Sequence, residues 1–394
     1  MAISSSKVDA LFSATVAQQS QLDGVSASVL SRGIDAFTSG DMDRAIANFR
    51  RSIALSPYSE NTMKAFQLMA EAFKKQGKND EAIKSWQQAA RMYPLNDIPA
   101  AGLGDIYFSQ KNYADAEKQY KAAIRLNPTE SSNYYSLGQT YMSEGNYTDA
   151  EIQFKMVTQL KPQDPSGYYA LGRNYRKMGQ YNDAVVQLKK SLDVNRNLND
   201  ARLELGMTYA DMNQTDDAKD QWSFLNNQDQ SMAIQLQSYM LQKSAPKFVA
   251  AFTLSNFNAG LGPGSLSVMD SSFSAPNAVK AYAMNFIFSK DMDRTSVEKI
   301  TNWMITRSAA SDPGGAYNWG LQAKSDAGIS PIPLSVMYNP DTLTATVVFT
   351  VSQNSSADAT IDPQHILFKF SGLDSYGNTM DSSADQYSGI SVVA

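Results

Sequence analysis

The sequence predicts a two-part chain: an all-α array of helix-turn-helix repeats followed by an all-β sandwich. Three observations predict it. An alanine recurs at Ala45, Ala82, Ala116, Ala150, Ala184 and Ala218, and the last four steps are 34 residues each. The texture changes at Lys243-Ser244-Ala245-Pro246. Beyond that point, short alternating apolar and polar runs are separated by Gly, Pro and Asn turn signals.

Each repeat position has a physical reason. Twelve residues before the alanine lies a small residue: Gly33, Ala70, Gly104, Gly138, Gly172 and Gly206. Four residues after it lies a large apolar one: Phe49, Trp86, Tyr120, Phe154, Leu188 and Trp222. Small residues at both inner positions let two helices approach closely. Aromatics nine residues before the alanine (Phe73, Tyr107, Tyr141, Tyr175, Tyr209) fill the space between neighbouring pairs. Gly145 and Gly179 are placed to end a first helix in the left-handed region. The Asp or Thr just before the alanine is expected to start the second helix. Pro57, Pro94, Pro128 and Pro162 stop it. One pair cannot bury its own apolar face, so the pairs must stack. Residues Ser231–Gln242 then read as a capping helix.

This pattern resembles the tetratricopeptide repeat, in six copies over about residues 26–230. The resemblance implies an all-α superhelix over 26–243, preceded by an N-terminal segment, 1–25, that is helical or partly disordered. It also implies a groove lined by the first helix of each pair. Carried onto this sequence, the groove positions are Phe108, then Tyr135, Gln139 and Met142, then Tyr169, Arg173 and Arg176. Aromatics offer contact area at low entropy cost, and arginines can grip carboxylates. The expected ligand is therefore an extended or helical segment with acidic and apolar residues. The Lys/Asn clamp of chaperone-tail-binding relatives is absent: Gln67 and Glu71 stand there. In the first unit the equivalent positions are Ala27, Leu30, Ile34 and Phe37, apolar where solvent is expected. Two readings stay open: residues 1–24 fold back over them, or Leu30, Ile34 and Phe37 form a subunit contact.

The last part holds eight predicted runs: 247–253, 265–269, 279–289, 302–307, 333–339, 343–352, 365–371 and 389–393. Their number and spacing predict a sandwich over 275–394, with 244–274 as linker and leading strands. Residues 286–306 run as a strand, an acidic Met-Asp turn, a Ser-Val helical turn and a second strand. With 336–349 and 372–381, they resemble the bacterial Ig-like domain of surface-layer proteins. Residues 308–330 look like an insertion.

Composition excludes much chemistry. The chain has 394 residues, 43% of them hydrophobic, which is enough to build cores. It has no Cys and one His, so thiolate nucleophiles, Cys-based metal sites and most Ser–His–Asp readings fall away. A net charge of −5 argues against nucleic acid. No apolar run reaches the ~20 residues that span a bilayer, and the N-terminus lacks secretory-signal features. No cofactor or metal is expected. Asp291, Asp293 and Asp374 fall in turns, where local hydrogen bonding explains them better than Ca²⁺. His365 reads as an unpartnered strand-start residue. Gly260–Gly264 is not a phosphate loop. Asn146, Asn213 and Asn354 head glycosylation sequons, a pattern common by chance.

The expectation is a non-enzymatic protein-protein interaction or structural protein. From the Ig-like resemblance, it would be a subunit of an envelope-associated or extracellular assembly in a bacterium or archaeon. That subunit would associate head to tail into a homo-oligomer, polymer or filament. The alternative is a cytosolic adaptor that binds a partner peptide in its groove.

Overall fold

In a computed structural model, residues 5–254, 262–309, 312, 315–320 and 325–390 are described, with side chains from residue 15 onward. The chain divides into two compact units. One comprises Met1–Tyr209 with Asn227–Asp229, and the other comprises Ala210–Asn226 with Gln230–Ala394.

The repeats fold as helix pairs. These are α1 (Ser5–Thr38) with α2 (Met42–Leu55), α3 (Thr62–Lys75) with α4 (Asn79–Met92), and α5 (Ile98–Ser109) with α6 (Tyr113–Leu126). They continue with α7 (Ser131–Glu144), α8 (Tyr147–Leu160), α9 (Pro165–Lys177) and α10 (Tyr181–Val194). Then come α11 (Asn199–Asp211), α12 (Thr215–Gln228) and α13 (Gln230–Lys243), the last at the place expected for a capping helix. Helix α1 is continuous, so residues 5–24 extend the first repeat helix and do not fold back over it.

The small-against-large rule is met atom by atom. A Cβ built on Gly33, Gly104, Gly138 or Gly172 would lie 2.5–2.6 Å from Phe49, Tyr120, Phe154 or Leu188 respectively. The second repeat has Ala70, and there the Trp86 indole lies instead against Gly102 of the next pair. Neighbouring repeats are stitched by a recurring triad. The Tyr141 hydroxyl donates to Glu117 (3.0 Å), which also meets Lys121 at 2.6 Å. One period on, Tyr175 donates to Glu151 (2.9 Å), which pairs with Lys155 at 2.5 Å. In the following repeat Val185 replaces the glutamate, and Lys189 lies over the Tyr209 ring.

Second helices begin earlier than expected. Asn112 and Asn146 are the N-caps; each side chain accepts from the amide of Asp115 or Asp149, the group first taken as the start. The sequon Asn146 is therefore engaged as a cap. First helices end on left-handed residues at Gly40, Gly77, Lys111, Gly145 and Gly179. Lys111 carries a Cβ there, as does Asn213 after α11. Lys111→Gly is expected to stabilise the helical unit by about 0.5–1 kcal/mol, read as a raised urea midpoint at unchanged slope.

The β region holds strands β1 (Phe248–Thr253), β2 (Gly264–Ser265), β3 (Val279–Phe288), β4 (Trp303–Arg307) and β5 (Gly328–Ile329). It continues with β6 (Ser335–Asn339), β7 (Thr344–Ser352), β8 (Thr360–Ile361), β9 (Ile366–Phe370) and β10 (Gln386–Ser388). One antiparallel sheet runs β1-β3-β7-β5 with β6 also on β7; a second runs β10-β9-β4; β2 and β8 pair apart. Their inner faces meet in an aromatic core. Phe286 lies 5.2 Å from both Phe368 and Trp303, and Trp303 lies 4.7 Å from Phe370, centroid to centroid. The run at 265–269 forms a helical turn, α14 (Leu266–Met269), after two strand residues. The Ser-Val turn expected after 293 is α15 (Arg294–Glu298), capped by Asp293. The predicted strand at 389–393 and the insertion at 308–330 lie partly outside the described residues.

Residues 243 and 244 both lie in the second compact unit, where a buried lysine ties the end of α13 to the β region. Lys290 Nζ meets Asp374 Oδ2 at 2.5 Å and donates to the carbonyls of Leu241 (2.7 Å) and Ser244 (2.8 Å). It thereby caps the end of α13. Asn378 Nδ2 adds a bond to the Gln242 carbonyl at 2.7 Å.

Candidate partner-binding groove

The seven expected groove residues sit on α5, α7 and α9, and all are half-buried. Phe108, Tyr135 and Met142 pack against the buried core of repeats three to five. The Tyr135 ring stands 5.9 Å from Phe154. Tyr135 also lines a cavity of about 220 Å³ with Ser132, Ser136, Lys161, Asp164 and Ser166. Gln139 lies one turn further along α7.

The arginines behave differently from the expectation. Glu204 of α11 accepts from Arg176 (2.9 Å) and pairs with Arg173 (3.3 Å). Arg173 also lies 5.6 Å over the Tyr169 ring, and burial pushes the Tyr169 phenol up to about 12. The carboxylate-gripping ends of this part of the groove thus already hold a carboxylate from the same chain.

The first-repeat positions are corrected as well. Leu30 is 6% exposed and belongs to the core of the first repeats, and Phe37 is half-buried against that core with Lys75 over its ring. Ile34 is 36% exposed. These positions are apolar largely because Leu30 and Phe37 pack against the core of the first repeats.

A larger cavity, about 400 Å³, opens between repeats two, three and four. Its wall includes Trp86, Asp97, Ile98, Asp105, Glu130 and Ser132. Ile98, Ala101 and Asp105 occupy the same repeat positions as Ser132, Tyr135 and Gln139, one period earlier, and Gln67 matches Ala101 in the repeat before. The period therefore pointed to them, although the aromatics were preferred. Asp97 and Glu130 sit just before α5 and α7, outside the groove register, and no sequence signal marked them. Asp97 accepts from Asn133 (2.9 Å) and Asn127 (3.4 Å), and Asp105 accepts from the Tyr120 hydroxyl at 2.7 Å. The Ser132 amide holds the Glu130 carboxyl below the ordinary range.

The family models for the tetratricopeptide repeat match residues 68–131, 102–165 and 165–198. Residues 68–198 are tetratricopeptide repeats. Repeats of this family are protein-interaction scaffolds. No curated protein matches the chain. Among solved structures, PilF of Pseudomonas aeruginosa is 18% identical, covering 55% of this chain and 99% of its own, with a TM-score of 0.45. A tetratricopeptide repeat protein from Parabacteroides merdae is 15% identical, covering 55% of this chain and 85% of its own, with a TM-score of 0.46. MamA is 23% identical, covering 43% of this chain and 92% of its own, with a TM-score of 0.37.

The other singled-out residues have partners. His365 Nδ1 lies 2.7 Å from Asp362, so it is not unpartnered. The Ser308 hydroxyl bonds the Gly315 and His365 carbonyl oxygens and not the imidazole. Asp291 accepts from the Tyr338 hydroxyl, Asp293 caps α15, and Asp374 faces Lys290 and two backbone amides. Cap chemistry accounts for Asp293, whereas Asp291 and Asp374 are held by the distant Tyr338 and Lys290 side chains. Among the described residues, no helix is long and apolar enough to cross a membrane.

Proposed function

We propose that the chain is a non-enzymatic scaffold that holds a segment of another protein in the groove of its tetratricopeptide repeats. The observation that carries this is the pair of cavities along one helix register. Both are lined from first helices, and they share Ser132. Of the expected groove residues, Tyr135 lines one of them, and Phe108, Gln139, Met142, Tyr169, Arg173 and Arg176 lie on the same set of first helices. Head-to-tail assembly through Leu30, Ile34 and Phe37 has little surface to use, since Leu30 is interior. The β-sandwich is read as the Ig-like module that its turn motifs resemble, which favours an envelope or extracellular setting over the cytosol.

The test is site-specific photocrosslinking in the native host. A benzoylphenylalanine at Tyr135 or Gln139 is expected to trap one protein band, while the same group at the exposed Lys190 of α10 traps none. Equal adducts from all three positions would sink the groove reading.

A further inference from the structure

The cavity between repeats two and four carries a chemistry opposite to the one the groove arginines suggest. Its lining residues include three acids, Asp97, Asp105 and Glu130, and no base. The nearest pairings of the surrounding lysines are already made: Lys74 meets Glu71 at 3.1 Å, and Lys161 approaches Glu130 at 3.9 Å. Asp97 and Asp105 take their hydrogen bonds from neutral donors, the Asn127 and Asn133 amides and the Tyr120 hydroxyl, and neither forms an ion pair among the described residues. Neither carboxylate is thus in ion-pair contact with a cation among the described residues, although burial pushes the Asp105 carboxyl up and Lys74 acts on it at longer range. The lining is mostly polar, and Trp86, Ile98, Ala101 and Gly102 add its apolar part. The Trp86 indole lies so close to the α5 backbone that a Cβ on Gly102 would stand 2.3 Å from it, and Ile98 and Ala101 continue that wall. Apolar carbons beside carboxylates suit a long cationic side chain: its methylenes pack on the apolar part of the lining and its charged head meets acid. Among the described residues, no three acidic groups are placed to hold a metal ion, so the match is to an organic cation.

We infer that this cavity seats a lysine or arginine side chain of the partner segment, and that the bound segment is basic at this point of the groove. The inference rests on the groove reading above and adds the chemistry of the occupant. Downstream, Arg173 and Arg176 share the one carboxylate of Glu204, which offsets half of their charge and already occupies their gripping ends. Charge selection therefore falls to repeats two to four.

Random dodecapeptides displayed on phage would be selected against the full chain, and the enriched sequences measured by fluorescence anisotropy. The expected result is a Lys or Arg recurring at one position. Replacing it with norleucine or citrulline should weaken binding about tenfold or more, as should Asp97→Asn or Asp105→Asn. Both substitutions keep an acceptor for the existing donors, and thermal melts matching the parent would confirm intact repeats. Lys190→Gln, on the exposed face of α10, is expected to leave affinity within about twofold. Enriched peptides lacking a basic residue, with binding that falls on Tyr135→Ala but not on Asp97→Asn or Asp105→Asn, would overturn the basic occupant and leave the groove standing. Peptides indifferent to every groove substitution, or no enrichment, would overturn both.

Discussion

Phe154→Ala is expected to destabilise the helical unit by about 3–5 kcal/mol, among the largest single losses available in the repeats. Phe154 is fully buried, and its ring fills the slot left by Gly138, where a Cβ would come within 2.5 Å. Removing the ring leaves a void that two helix backbones cannot close without breaking the stack on either side. Phe154→Leu should cost far less, because the next repeat already uses leucine in that slot, Leu188 against Gly172. Gly138→Ala alone should cost about 1–3 kcal/mol by overpacking. In the double variant the new methyl enters the void, so the combined loss should fall short of the sum by about 1 kcal/mol. Urea unfolding followed by circular dichroism checks this. Strict additivity, or a Phe154→Ala loss under about 1 kcal/mol, would contradict the packing account. Because Tyr135 rests on the same ring, Phe154→Ala should also weaken groove binding.

The second large effect is expected at Lys290. Lys290→Met should cost the β-containing unit about 3–5 kcal/mol, since it strands Asp374 and uncaps α13 at once. The ammonium is 2% exposed and the carboxylate 0%. Adding Asp374→Asn should restore part of the loss by removing the stranded charge. Burial raises the Asp374 carboxyl, but Lys290 and Asn378 outweigh it and hold it below its ordinary value near 3.8. A depressed carboxylate contributes its stability in full above that ordinary value, and loses it as pH falls through the lower folded value. The parent should therefore weaken on acidification below about pH 4, while Lys290→Met with Asp374→Asn shows a flatter acid limb. Acid titration of the unit's unfolding midpoint measures this; parallel limbs would refute the pairing.

Much of the architecture was written in local residue choice. The 34-residue recurrence of Ala, Gly and a large apolar residue specifies helix pairs, because those side chains can be satisfied only where backbones nearly touch. The alternation in 279–289 and 343–352 likewise specifies strands with one face inward, and those runs became β3 and β7. Helix starts were less legible. Asn112 and Asn146 cap by reaching three residues ahead, so the start lies before the acidic residue that draws the eye.

The candidate site divides along the same line. Phe108, Tyr135, Gln139, Met142, Tyr169, Arg173 and Arg176 lie on first helices of their pairs because these positions follow the repeat period. Their chemistry was not legible. Whether Arg173 and Arg176 face a ligand or Glu204 depends on a carboxylate 28 residues beyond Arg176 in the chain. Whether Leu30 is patch or core depends on which side of α1 the neighbouring helices lie.

By itself the amino-acid order determined periodicity, helix pairing, the switch to strands and the register of the groove, since each follows from neighbours within one repeat or one strand. Tertiary structure alone decided three things: that Asp97 and Glu130 join Asp105 around one cavity, that Glu204 bridges two arginines, and that Lys290 binds the end of α13. Each of these brings together charges from separate elements, and the energy of a charge depends on distance and burial that no local pattern encodes.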